Sequence, residues 1–182
     1  MKKPFVFSLV LIVIDQAIKL FIAHYYINAD AVLLPGILFF RPVQNINLTW
    51  IASIIDYKTP ALLMIVIQIF SLAIITFSYR YLSYLWNQGK KLLNGMLIFF
   101  IAGIMCSFID VAFWGGSLDF LRLFDLFTFD FKDVYLNIAS GFVLFYTGNY
   151  LIKAYSKMSK AERKQTGLCL WIKNGMPSSP IG

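Results

Sequence analysis

The chain has 182 residues, 59% of them hydrophobic and 14% charged, with a formal net charge of +7 and a mean hydropathy of +0.72. Soluble domains carry about 45–50% apolar and about 25% charged residues, so these values exclude a disordered tail, a collagen-like fibre and most soluble enzymes. The positive charge flanks apolar segments and forms no aromatic-interleaved patch, so it is read as facing lipid, with no nucleic-acid partner.

A membrane-crossing helix needs about 20 mostly apolar residues. The first such segment runs from about Pro4 to Ile22 and carries Asp15, Gln16 and Lys19. Lys2 and Lys3 precede it as in a signal peptide. However, its own charges interrupt the apolar run and no small-residue cleavage site follows, so it is read as a retained helix. A long loop, about 23–59, comes next, with turn signals at Pro35-Gly36 and at Pro42. The second span, about Pro60 to Ser78, has no charge, and the third, about Leu92 to Phe113, contains only Asp110. The loop of about 114–133 opens with Gly115-Gly116. In it Phe127, Phe129 and Phe131 alternate with polar positions, a period of two that predicts a short strand or an interfacial segment. The fourth span, about Val134 to Ile152, holds Asn137, Ser140 and Gly141. Residues 153–182 read as a basic tail, where Ser159 to Glu162 fits a capping box for a short amphipathic helix. Cys106 and Cys169 are read as free thiols, too few for a disulfide scaffold.

The expected fold is therefore an all-α integral membrane protein. It has four transmembrane helices, a small outer-face loop/strand region over residues 1–152, and the tail beyond. With the N-terminus inside, Lys2, Lys3, Arg80, Lys90, Lys91, Lys153, Lys157, Lys160, Arg163, Lys164 and Lys173 are cytoplasmic. Only Arg41, Lys58, Arg122 and Lys132 lie outside. That bias places both termini in the cytoplasm. Acidic residues lean the other way: Asp30, Asp56, Asp119, Asp125, Asp130 and Asp133 are outside, which marks the outer side as the place for chemistry.

Ionisable groups at membrane depth are costly and face the bundle interior. Asp15 and Lys19, spaced i and i+4, share a helix face and are expected to pair. Asp110 sits one to two turns from the outer end of its helix. Asp125, Asp130 and Asp133 read as solvated loop carboxylates, and His24 as an interfacial histidine. No nucleophile elbow, P-loop or zinc motif occurs, and neither metal nor cofactor is expected.

Over about residues 10–150 the chain resembles signal peptidase II, the bacterial lipoprotein signal peptidase family. Its D-Q-x-x-K motif stands as Asp15, Gln16 and Lys19. The N-x-G-A-A-[FW] stretch is similar to Asn45–Trp50, and G-x-x-G-N-x-x-D-R to Gly103–Val111 with Asp110 retained. G-x-V-x-D-F is similar to Gly115–Phe120 with Asp119 retained. F-N-x-A-D is matched to Leu136–Ser140, keeping Asn137 and Ala139. The resemblance implies a four-helix aspartic endopeptidase of the bacterial inner membrane. Such an enzyme cleaves lipid-modified prolipoprotein signal peptides at the outer boundary, as a monomer among membrane lipid. It implies Asp119 as one catalytic aspartate and Ser140 at the place of the other, which leaves the dyad incomplete unless Asp110, Asp130 or Asp133 stands in as the second carboxylate. Asn45, Asp110 and Asn137 would contact substrate, and Asp15, Gln16 and Lys19 would support the site. Two other readings stay open at this point: a non-catalytic paralogue binding lipidated signal peptides or partner helices, and a small four-helix carrier or structural protein.

Overall fold

The computed structural model describes residues 2–47, 58–124 and 126–178. Trp50, Asp56 and Asp125 lie outside them. Helix α1 covers Lys2–Tyr25, strands β1 and β2 cover Ala31–Leu34 and Leu38–Asn45, and helices α2 and α3 cover Ala61–Leu85 and Lys90–Ile109. A wide, π-type turn, Asp110–Trp114, leads into β3 (Ser117–Leu123) and β4 (Phe127–Phe129). Helix α4 (Phe131–Lys153) and two short tail helices, α5 (Lys160–Gln165) and α6 (Leu168–Lys173), follow.

Among the described residues three helical stretches, Lys3–Tyr25, Ala61–Leu85 and Asn87–Trp114, are long and apolar enough to cross a membrane. The fourth expected span is a helix of 23 residues but is not among these three, since its polar residues dilute its apolar character. It also starts earlier than the apolar run suggests. Asp130 is its N-cap, and Asp130 and Asp133 form a reciprocal capping box, which satisfies two backbone N–H groups that the first turn leaves open.

The helices pack through two clusters. Tyr79, Leu93, Met96, Leu97, Tyr146 and Tyr150 join α2, α3 and α4. Ala102, Cys106 and Tyr135, with Leu11 and Ile12 against them, join α1, α3 and α4. Polar side chains tie helix to helix at backbone carbonyls: Ser8 donates to Ile98 (3.0 Å) and Tyr135 to Leu11 (3.4 Å).

The region expected as a loop/strand segment is more ordered than a loop. Its strands form one antiparallel sheet in the order β1-β2-β3-β4. Pro35-Gly36 turns the β1–β2 hairpin, and Pro42, which cannot donate to a ladder, sits where the β2–β3 register shifts between Phe40 and Val43. Phe127 and Phe129 pair with β3, the strand alternative of the alternation, whereas Phe131 already opens helix α4. The sheet is seated on the end of α1 through Ile22, Leu118 and Phe120, and Phe120 meets Phe131 edge-on at 5.3 Å between centroids.

Candidate active site

Two glycines bring the chain from α3 into the sheet. Gly115 adopts φ 65°, a left-handed conformation that costs glycine little. Gly116 passes so close to β2 that a Cβ would lie 2.9 Å from the Asn45 carbonyl oxygen. β3 therefore starts paired with the end of β2, Asn45 opposite Ser117. Along β3, side chains alternate. Leu118 and Phe120 face the α1 cluster, which puts Ser117 and Asp119 together on the other face, and all four are buried.

That face meets α1, the end of α3 and the first turn of α4. Lys19 Nζ lies 3.1 Å from Asp15, 2.7 Å from Asp110 and 2.6 Å from Asp130. Lys132 Nζ lies 2.6 Å from Asp130, 3.2 Å from Asp119, 3.6 Å from Asp110 and 3.9 Å from Asp133. Lys132 also donates to Ser117 Oγ, and Ser117 Oγ is 2.6 Å from Asp119 Oδ1. Asn45 Nδ2 donates to Asp119 Oδ2 at 3.2 Å. Gln16 Nε2 donates to Asp15 (3.0 Å) and Asp110 (3.3 Å), and Gln16 Oε1 accepts from the Trp114 indole N–H at 3.2 Å. Five carboxylates thus gather around two ammonium groups. Asp15, Asp110, Asp119 and Asp130 are buried, whereas the Asp133 side chain is 40% exposed.

The structure brings Asp15, Gln16, Lys19, Asn45, Asp110 and Asp119 into this one site. The pairing of Asp15 with Lys19 is present but is part of a larger network. Asp130 and Asp133 are not solvated loop carboxylates: α4 begins at Phe131 and folds both against the site. Asp119, Asp130 and Asp133 each place a carboxylate oxygen within 4.8 Å of the others. Three such carboxylates have the donor set for a cation, but the Lys132 ammonium already reaches all three.

Ser140 and Asn137, matched from the sequence to a position opposite Asp119 and a substrate contact, lie elsewhere. Both are exposed. Ser140 Oγ donates to the Leu136 carbonyl at 2.9 Å and Asn137 Nδ2 to the Asp133 carbonyl at 2.9 Å, each within α4. The chain offers a second register for the motif. The matched window Leu136–Ser140 fits F-N-x-A-D at Asn and Ala, but Phe129-Asp130-Phe131-Lys132-Asp133 fits the same pattern at Phe and Asp. This second window starts seven residues earlier, with Asp in place of Asn and Lys in place of Ala. The capping-box spacing of Asp130 and Asp133 was the signal favouring this earlier window, since it marks a helix start.

Burial pushes the Asp130 carboxyl up, but the Lys132 and Lys19 ammonium groups outweigh it and hold the carboxyl below its ordinary value.

The fold is similar to two solved bacterial membrane enzymes, both obtained by the in meso method. One, at 2.3 Å resolution, superposes with a TM-score of 0.66 at 16% identity, covering 88% of this chain and 96% of the other. The second, at 1.9 Å resolution, gives 0.61 at 17% identity, covering 85% and 95%. No curated protein sequence matches the chain. Residues 7–148 match the family model described as signal peptidase (SPase) II, and the chain belongs to that family.

Proposed function

We propose that the chain is a membrane aspartic endopeptidase that removes signal peptides from lipid-modified prolipoproteins, with Asp119 and Asp133 as its reacting pair. The observation that carries this reading is the approach of their carboxylate oxygens within 4.8 Å, with Asp133 open to the outside and Asp119 fixed by three donors. Asp133 then takes the place of the second family aspartate, and the dyad is complete.

The chemistry follows from two carboxylates that share one proton because like charges this close do not both ionise. Asp119, held by Ser117, Lys132 and Asn45, takes a proton from water as the water oxygen bonds to the scissile carbonyl carbon. Asp133 gives its proton to the carbonyl oxygen, so a neutral tetrahedral diol forms. Its collapse breaks the C–N bond: Asp119 passes the acquired proton to the departing nitrogen, and a diol hydroxyl returns one to Asp133. Water, peptide and both carboxyls balance over the cycle.

In this reading α4 is the fourth span. It presents Leu144, Phe145 and Ile152 at 74, 70 and 72% exposure, an apolar face suited to lipid. Both termini are cytoplasmic by the Lys/Arg bias, the membrane is the bacterial inner membrane, the protein acts as a monomer, and the sheet covers the site at the outer boundary.

The test is processing of a lipid-modified prolipoprotein in proteoliposomes. Asp119→Asn and Asp133→Asn should each lower cleavage by about a hundredfold or more, the scale of one acid–base group. Parent-level cleavage by Asp133→Asn would falsify the pair. A parent that binds the prolipoprotein but never cleaves it supports the non-catalytic reading instead.

A further inference from the structure

Lys132 is the residue of the site whose presence the proposed reaction does not call for. It stands at the Ala position of F-N-x-A-D in the Phe129–Asp133 window, and a methyl group there could make none of its contacts. Its three ammonium hydrogens have three close acceptors: Asp130 Oδ2 at 2.6 Å, Ser117 Oγ, and Asp119 Oδ1 at 3.2 Å. None is left to polarise a substrate carbonyl, so a direct catalytic role is disfavoured.

What the ammonium does do is hold one edge of Asp119. Oδ1 takes Ser117 at 2.6 Å and Lys132 at 3.2 Å, whereas Oδ2 has Asn45 at 3.2 Å. Lys132 is itself anchored, because Asp130 Oδ2 is shared with Lys19 at 2.6 Å and Asp130 Oδ1 accepts from the Asp133 N–H at 3.3 Å. An alternating row of charges results, Asp15–Lys19–Asp130–Lys132–Asp119. It runs from α1 through the cap of α4 to β3, with Asp110, at the start of the turn after α3, beside both lysines and Asp133 at its outer side.

We propose that Lys132, together with Ser117, is a positioning residue that fixes the Oδ1 edge of Asp119, so that Oδ2 is the edge presented to water and substrate. This rests on Asp119 being a reacting group. It predicts an effect on turnover with little on binding, because the residue contacts Asp119 and not the peptide.

The experiment measures kcat and KM for prolipoprotein cleavage in proteoliposomes for the parent, Lys132→Met, Lys132→Arg, Ser117→Ala and Asp119→Asn. Misplacing a reacting group by about 1 Å costs up to roughly a hundredfold. Lys132→Met should therefore lose about tenfold or more in kcat with KM within about twofold, and Ser117→Ala should lose less in the same sense. Lys132→Arg keeps the cation but puts a planar fork in place of a compact ammonium, so it should recover only part of the kcat lost in Lys132→Met. A kcat for Lys132→Met within about twofold of the parent, or a loss confined to KM, overturns the proposal. Should Lys132→Met not fold, Lys132→Gln, which removes the charge but keeps a polar head and leaves the Lys19–Asp130 contact in place, is read by the same criteria. A second readout needs no turnover: the 13C carboxyl resonance of Asp119, identified with Asp119→Asn, should be one sharp line in the parent and broaden in Lys132→Met and in Ser117→Ala. An unchanged line in both variants also overturns the proposal. If the parent does not cleave and Asp119→Asn makes no difference, the endopeptidase reading fails by itself, and the resonance still decides the role of Lys132.

Discussion

Lys19 Nζ and Asp130 Oδ2 lie 2.6 Å apart, both side chains at 0% exposure. One belongs to the D-Q-x-x-K motif of α1 and the other caps α4, 111 residues along the chain from it by their numbers. The contact therefore fastens the first long helix to the start of the last. Breaking a buried pair by removing one partner costs about 3–5 kcal/mol, because the other charge stays buried without it. Lys19→Met and Asp130→Asn should each lower stability on that scale in detergent, measured by thermal or denaturant unfolding. Unchanged midpoints in both would show that the network does not hold the helices.

The same carboxylate predicts a pH dependence. Its folded-state pKa lies below the ordinary 3.8, since Lys132 and Lys19 outweigh the effect of burial. A depressed carboxyl contributes stability above its unfolded value and loses it as pH falls through its folded value. The parent should thus lose stability more steeply than Asp130→Asn on going below about pH 4. Equal slopes for the two proteins over that range would count against a depressed Asp130.

Ser140 is exposed and bonds only to its own helix among the contacts described. Ser140→Ala should leave prolipoprotein cleavage within about twofold and stability within about 0.5 kcal/mol, as for surface substitutions generally. Ser140→Asp should not raise cleavage. A gain of about tenfold in Ser140→Asp would return this position to the site.

How far the sequence could be read depended on the kind of signal. The long spans were legible because about 20 apolar residues have one common explanation in a chain of this hydropathy. Asp15 with Lys19 was legible because charge at membrane depth has few satisfactory places. Asp119 was legible through Gly115-Gly116 and the residues after them. Asp130 and Asp133 were legible only as two of three carboxylates that could stand in beside Asp119: in sequence they stand among phenylalanines and read as a wet loop. Only the capping geometry reveals that the helix begins at Phe131 and brings both to the site, Asp130 buried and Asp133 at its open edge. The sheet was legible in part, since the Phe127–Phe129 alternation marks β4, while β1 and β2 pair through contacts that local periodicity does not encode. Lys132 counted only as an outer positive charge, because nothing local says that five carboxylates converge around it and Lys19.

The tail is also more than a solvated basic segment. Its capping box forms as the Ser159–Glu162 spacing predicts, but Trp171 is 1% exposed. Its ring lies 5.3 Å from Phe77 and 5.2 Å from Tyr81, and Tyr81 donates to the Thr166 carbonyl at 2.7 Å. Truncating a buried Trp costs about 3–5 kcal/mol, here concentrated on the docking of the tail to α2. Trp171→Ala should speed tryptic cleavage at Lys160–Lys164 with prolipoprotein processing unchanged. Equal digestion rates for parent and variant would mean the tail does not dock in solution.

Gly103 tests whether the site depends on how closely α3 and α4 approach. A Cβ at this position would lie 2.7 Å from Leu136 Cδ2 and 3.2 Å from the Lys132 carbonyl oxygen. The leucine tip can turn aside, but the carbonyl belongs to the first turn of α4 and moves only with the helix. Overpacking of this kind costs about 1–3 kcal/mol. Here the displaced backbone is also the one that carries Lys132 and Asp133. Gly103→Ala should therefore lower both stability and kcat, the latter by about tenfold or more, since positional errors near 1 Å can cost roughly a hundredfold. Gly95→Ala is the control. Its Cβ would meet the Phe142 ring at 2.8 Å, on the same pair of helices but away from the charged cluster. It should lose stability without a matching loss of kcat. If Gly95→Ala and Gly103→Ala lose kcat equally, helix spacing as a whole governs activity and the placement of Lys132 and Asp133 by Gly103 is not special.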